Sequence, residues 1–215
     1  MNGRRIFAMI LAAGQSRRMG MPKLFLQYGE GNILEAVLDG VMESSVDGLV
    51  VVANKSIQKF LAGQLPEECE VAVNDDPKSE MLASVQIGFR QIEQSFEPGD
   101  EDGLLVLLGD QPEVGAGTIT TVAEAYRLPR NPPGILIATY RGRPGHPTVF
   151  SVGMLREVMD WTADRRLNEL AGLHPDRVRA CAITSAPWPI DVNTPDDYER
   201  LTDESRGRGI SGSGL

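Results

Sequence analysis

The chain has 215 residues, 41% of them hydrophobic, and a net charge of −9 from 30 acidic and 21 basic residues. That length sustains one sizeable core, so a single domain over residues 1–202 is expected, followed by a mobile Gly/Ser-rich tail over 203–215. The acidic balance argues against a general nucleic-acid binder, no apolar run nears the ~20 residues of a membrane span, and two isolated cysteines fit a reducing cytoplasm better than a zinc site or a disulfide.

Behind Arg4 and Arg5, the run Ile6–Ile10 reads as a buried strand rather than a signal peptide. It leads into Leu11-Ala12-Ala13-Gly14-Gln15-Ser16-Arg17-Arg18-Met19-Gly20-Met21-Pro22-Lys23, a basic, glycine-containing loop in an otherwise acidic chain. Glycines let backbone N–H groups approach phosphate oxygens, and Arg and Lys neutralise their charge. The loop is not a Walker loop, because five residues separate its glycines and Leu24 follows Lys23. The dinucleotide fingerprint G-x-G-x-x-G is also missing: Gly115-Ala116-Gly117 has Thr120 where the last glycine should stand. By itself the loop reads equally as a basic surface turn or as a nucleotide site.

Ile33, Leu34, Val37, Leu38 and Val41 then recur at helical spacing behind Asn32, a suitable N-cap. Strands are predicted over Gly48–Ala53, Glu70–Asn74 and Gly103–Leu108. Between the last two, Met81, Leu82, Val85, Phe89 and Ile92 mark an amphipathic helix. Another helix runs from Thr118 to Arg127 and is closed by Pro129. This succession implies a mostly parallel sheet covered on both faces, with ligands bound outside the carboxyl ends of the strands. That rule places three segments on one rim: Gly14 to Lys23, Asn74 to Ser84, and Asp110.

The second half is more mixed. Gly134–Tyr140 and Thr148–Phe150 flank a turn-rich loop, Arg141–Gly145, and suggest a hairpin forming a lip over the site. Helices are expected over Val152–Trp161 and Arg166–Gly172, and a strand over Val178–Ile183. A last helix starts at Pro195 with Thr194 as its N-cap.

Ordered motifs along nearly the whole chain carry a resemblance. They are L-A-A-G-x-S-x-R-M-G-x-x-K at the start, Glu80–Val85, Gly109-Asp110-Gln111-Pro112, Gly145-His146-Pro147, and Asp191-Val192-Asn193-Thr194-Pro195-Asp196-Asp197-Tyr198. Together they resemble the MobA-like nucleotidyltransferases, especially the molybdenum cofactor cytidylyltransferases. The resemblance implies a three-layer α/β/α, Rossmann-like fold of the nucleotide-diphospho-sugar transferase type, with a small β-hairpin excursion in the second half. It also implies Mg²⁺-dependent transfer of CMP from CTP to the terminal phosphate of molybdenum-molybdopterin, with Mn²⁺ as an alternative metal. A transient handover of the labile product to a recipient molybdoenzyme follows from that reaction; neither nucleic acid nor a membrane is an expected partner. Leu-Ala-Ala-Gly is closer to the cytidylyl branch, since the guanylyl branch typically has Ala-Gly-Gly. The same triphosphate machinery would serve a guanylyltransferase, or an enzyme acting on a sugar or alditol phosphate. A non-catalytic nucleotide-binding module is the reading from a different class.

The resemblance assigns candidate roles. Asp110 and Asp191 would hold the metal; each could instead simply cap its own turn. Asn193 stands where many relatives carry a second Asp, which leaves its part in metal binding open. Arg18 and Lys23 would neutralise the triphosphate, and Arg17 is as readily a solvated side chain. Leu11, Ala12, Ala13, Gly14 and Gly109 would line the nucleotide through their backbone. Ser84 would bond the base or ribose, or its own helix. His146 would border the acceptor, or pack a loop onto the sheet. Trp161 and Trp188 read as packing residues, with stacking on a pterin as the alternative.

Overall fold

The computed structural model describes residues 3–16, 19–66, 69–186 and 188–209. Its elements run in the order β1 (Ile6–Ala12), β2 (Gln27–Tyr28), β3 (Gly31–Asn32), α1 (Ile33–Met42), β4 (Gly48–Ala53), α2 (Lys55–Leu61), β5 (Cys69–Val73), α3 (Met81–Phe96), β6 (Gly103–Leu108), α4 (Ala116–Arg127), β7 (Ile135–Tyr140), β8 (Arg143–Ser151), α5 (Val152–Arg156), α6 (Glu169–Leu173), β9 (Val178–Ile183) and α7 (Pro195–Gly209). Seven strands form one sheet in the order β5-β4-β1-β6-β8-β7-β9; β2 and β3 form a separate two-stranded ribbon. Among the described strands of the seven-stranded sheet, only β8 runs against its neighbours, pairing antiparallel with both β6 and β7.

The central strands are apolar on both sides because helices cover both faces. Ile6, Ala8, Ile10 and Ala12 of β1 face one core with α1, α2 and α4. Phe7 and Met9 face the other, with α3, α5 and α6. The fold is therefore a three-layer α/β/α sandwich on a mostly parallel sheet, as the sequence implied. No helix among the described residues is long and apolar enough to cross a membrane.

Local chemistry fixes the helix starts. Asn32 Oδ1 accepts from the Glu35 N–H while Glu35 Oε2 accepts from the Asn32 N–H, a complete capping box. Thr194 and Asp197 exchange the same pair of bonds at the start of α7. That helix continues past Thr202 to Gly209, into the segment expected as a tail.

The second half departs from the sequence reading in its hairpin and in its first helix. The loop expected over Arg141–Gly145 shrinks to a two-residue turn, with φ of 51° at Arg141 and 81° at Gly142, the left-handed pair that closes tight hairpins. The hairpin it joins lies inside the main sheet, where β8 fills the gap between β6 and β7. The helix expected over Val152–Trp161 stops at Arg156. Beyond it, Gln86 of α3 donates through Nε2 to the carbonyls of Val158 (2.8 Å) and Trp161 (2.9 Å). The N–H groups of Glu157, Val158, Met159 and Trp161 meanwhile bond three residues back rather than four, so the turns tighten and the α-helix ends.

Helix α3 lies against the sheet because residue 88 is glycine. A Cβ at that point would meet Val52 Cγ2 at 2.5 Å and Met9 Cε at 2.8 Å. Gly88→Val is expected to lower stability by about 1–3 kcal/mol through overpacking, despite valine's better helix propensity. Urea unfolding followed by circular dichroism measures it.

Candidate functional site

The carboxyl ends of β1, β5 and β6 open onto a cleft of about 520 Å³. Its walls are the loop after β1, the 74–81 segment after β5, Ser84 of α3, Asp110 after β6, and Asp191 and Asn193 from the segment before α7. The three segments that the strand-end rule placed on one rim thus meet, and the Asp191 segment joins them from the far end of the chain.

The loop after β1 is held by Ser16. It sits at φ 50°, a conformation uncommon outside glycine. Its carbonyl accepts from the Met19 N–H at 3.0 Å and its hydroxyl from the Lys23 N–H at 3.1 Å, which fixes both ends of the turn. A Cβ at Gly14 would meet no protein atom within 4 Å, so the space beside that backbone belongs to the cleft. Gly109, by contrast, is required by packing. A Cβ there would lie 3.1 Å from the Leu11 carbonyl and 3.3 Å from the Ala12 Cβ. Its N–H donates to that same carbonyl at 3.0 Å, so the first loop and the Asp110 turn are packed backbone to backbone.

Lys23 Nζ donates to Asp110 Oδ2 and, at 3.3 Å, to Asn193 Oδ1. The Lys23 and Asp110 side chains are only 13% and 14% exposed, so their charges meet largely out of water. Asp191 Oδ1 accepts from Gln111 Nε2, and Gln111 itself is buried. The Gln111 Oε1 is buried without a hydrogen-bond partner. Turning the amide over would set that oxygen against the carboxylate, so Asp191 fixes the glutamine's orientation. Val192 N–H reaches the Asp110 carbonyl at 3.4 Å, and Glu113 Oε2 accepts from the Ile190 N–H at 3.0 Å. These bonds tie the two aspartate segments together.

On the opposite wall Asn74 is buried. Its Nδ2 donates to the hydroxyls of Ser79 (2.7 Å) and Ser84 (2.8 Å), and its N–H donates to the Ala53 carbonyl. Ser84 therefore accepts from Asn74 and keeps its own proton as a donor. Asn74, Ser16 and Gln111 had no assigned role in the sequence reading. Ser16 and Gln111 stand inside the quoted motifs and Asn74 closes a predicted strand, but none of these signals gives the hydrogen bonds seen here.

The other expected residues divide. Leu11, Ala12, Ala13, Gly14, Lys23, Ser84, Asp110 and Asp191 line the cleft. Arg17 and Arg18 lie outside the described residues. His146 is not among the lining residues: a register shift in β8 carries it toward β6, with Nδ1 3.4 Å from the Val106 carbonyl. Burial holds its imidazole below the usual histidine range, while the nearby Asp191 and Asp110 charges partly oppose that. Trp161 carries the Arg165 guanidinium 3.5 Å above its ring.

Among the described residues no group of three or more His, Cys, Asp or Glu side chains could hold a metal ion. Two carboxylates on one cleft match what Mg²⁺ takes from protein when phosphates and water complete its shell.

Asn74→Ala should strip the buried Ser84 hydroxyl and the half-buried Ser79 hydroxyl of their donor and lower stability by about 1–3 kcal/mol, with faster proteolysis in residues 75–80. Because the folded-state pKa of His146 is depressed, protonation favours the unfolded chain. Its contribution is complete above about pH 6.5 and declines as the pH falls below that value. The slope of unfolding free energy between about pH 6.5 and 5 is expected to shrink in His146→Asn.

Residues 8–178 match the MobA-like NTP transferase domain. The Bacillus subtilis purine catabolism protein PucB is 25% identical over 206 residues, 91% of this chain and 95% of that protein. The Escherichia coli molybdenum cofactor cytidylyltransferase is 24% identical over 204 residues, 92% of this chain and 98% of that protein. The crystal structure of Rv0371c from Mycobacterium tuberculosis superposes with a TM-score of 0.79 at 27% identity, covering 94% of this chain and all of that one; the same mycobacterial protein has been crystallised in complex with manganese. With its cleft at the strand ends and that match across most of its length, this chain belongs to the MobA-like NTP transferase family.

Proposed function

We propose that this nucleotidyltransferase moves CMP from CTP to the terminal phosphate of molybdenum-molybdopterin, releasing pyrophosphate. The observation that carries the reading is the convergence of Lys23, Asp110 and Asp191 at the mouth of a cleft floored by Ala12, Ala13 and Gly14. The choice of CTP and of this acceptor is supported by the Leu-Ala-Ala-Gly start and by the likeness to the E. coli cytidylyltransferase along almost both full lengths.

An acceptor phosphate oxygen attacks the α-phosphorus of CTP. The bond to the α–β bridging oxygen breaks, and pyrophosphate leaves with that electron pair. The protein needs no covalent nucleophile; it aligns two anions and offsets their charge. Backbone groups of Ala12 and Ala13, with the Ser84 hydroxyl, hold the base. The open backbone at Gly14 lets phosphate oxygens approach. Asp110 and Asp191 would hold a divalent cation, which when bound supplies charge neutralisation at the phosphates. Lys23 balances Asp110 in the unliganded site, and with a cation held on that carboxylate its ammonium would be free to pair with the triphosphate. Arg18, from the same loop, assists it, and His146 stays a positioning group beneath the acceptor side.

Pyrophosphate release with Mg²⁺ and each of the four nucleoside triphosphates, with and without molybdenum cofactor, tests the reading. Release confined to CTP plus cofactor is expected; release with GTP would move the protein to guanylyl transfer. Asp110→Asn should lower turnover about 10²–10³-fold with the fold intact. Lys23→Ala should raise the KM for CTP more than that for the acceptor. Equal loss of both would point to a collapsed loop.

A further inference from the structure

Asp191 and Asn193 also wall a second cavity, of about 470 Å³, lined by the segment before α7 and by α7 itself. They are the two residues it shares with the nucleotide cleft. Transfer between two bound substrates requires both to reach one centre, and this shared wall is where the proposed metal carboxylate stands. Trp188, Pro189, Ile190, Asp197 and Arg200 complete the second cavity. We infer that it is the acceptor subsite, with the Trp188 indole taking a planar heterocycle and Arg200 its phosphate monoester. The inference rests on the nucleotidyl-transfer reading and extends it to residues outside the family's motifs.

Trp188 is 45% exposed, high for a large aromatic side chain. Its ring is nonetheless set. Tyr140 packs against it edge to face, with centroids 5.9 Å apart and 68° between planes. Tyr140 is buried, and its hydroxyl donates to the His146 carbonyl at 2.7 Å. Gly145 adds to the seat, since a Cβ there would lie 3.7 Å from Trp188 Cη2. An exposed indole held in one orientation can stack on a flat ring with little loss of its own freedom.

Arg200 is held from below. Its Nη2 donates to Asp197 Oδ1 at 2.8 Å. The other Asp197 oxygen accepts from the N–H groups of Asn193 and Thr194 and from the Thr194 hydroxyl. Burial works against the Asp197 charge, yet these bonds keep its carboxyl below the usual range. The guanidinium remains two-thirds exposed and carries five N–H donors, so it can take a phosphate while tethered.

Charge sets a condition. The cavity holds Asp191 and Asp197 against Arg200, a net negative balance. A phosphate monoester is repelled until a divalent cation offsets Asp191. Acceptor binding is therefore expected to depend on metal and nucleotide already being in place.

Trp161 and Trp188 are the chain's two tryptophans. In a Trp161→Phe background, Trp188 emission is followed while molybdenum cofactor released from a molybdoenzyme is added. Mg²⁺ and a non-hydrolysable CTP analogue are present throughout. Saturable quenching is expected, lost when Mg²⁺ and the analogue are omitted. Arg200→Gln should weaken it about tenfold or more and leave analogue binding unchanged. Absence of saturable quenching, or quenching indifferent to Arg200→Gln, overturns the subsite. Turnover is measured on the same protein with CTP. Turnover without quenching overturns the subsite alone; quenching without turnover upholds the subsite and overturns the reaction.

Discussion

The Lys23–Asp110 pair is the contact on which the site's architecture turns. It joins the loop after the first strand to the end of β6, and through Asn193 it draws in the segment before α7. Two opposite charges held mostly out of water are stable only while they remain together. Removing one partner of such a pair typically costs about 3–5 kcal/mol, because the other is left uncompensated. The cleft's mouth is therefore fixed by a pair that substrate must rearrange. A divalent cation on Asp110 and a triphosphate beside Lys23 would give each charge a new partner without leaving either bare.

A second layer of bonds determines which atoms face the cleft. Gln111 occupies one oxygen of Asp191, and Asn74 occupies the acceptor side of Ser84. Neither is a charged residue, and neither could be ranked from residue type alone. Both act by limiting what a neighbour can do. The arrangement resembles that around many metal ligands, where groups one step behind the ligand set its direction. The price is one buried carbonyl oxygen, Gln111 Oε1, without a partner.

Much of the fold was legible because apolar runs and caps are local signals. The strands of the parallel half follow from runs such as Leu49–Ala53 and Leu104–Leu107, and Asn32 marks α1 through a bond only three residues long. What could not be read depends on distant partners. α5 ends early in turns bonded three residues back, and Gln86, some seventy positions away, holds the carbonyls beyond it. His146 is turned toward Val106 because β8 shifts register where it is inserted between β6 and β7, a pairing that no window of sequence encodes. For the site, the strand-end rule places three segments on one rim without reference to a family. The link from Asp191 to Asp110 runs through Gln111 and Val192 and is invisible until the chain is folded.

The first strand of the chain is also an interior strand of its sheet. β1 pairs with β4 on one side, Phe7 opposite Gly48, and with β6 on the other, Ile6 opposite Gly103. On the ribosome, the second edge of β1 must wait for nearly a hundred further residues to be made. Throughout that interval an apolar strand with unpaired backbone groups has only β4 and β5 as company, and such edges recruit other chains. Long-range parallel pairing is slow in any case. Yield in the cell would then be governed by how quickly β6 follows β1 out of the exit tunnel, and slower translation across residues 54–103 would lengthen the chain's exposure to aggregation before its centre is closed.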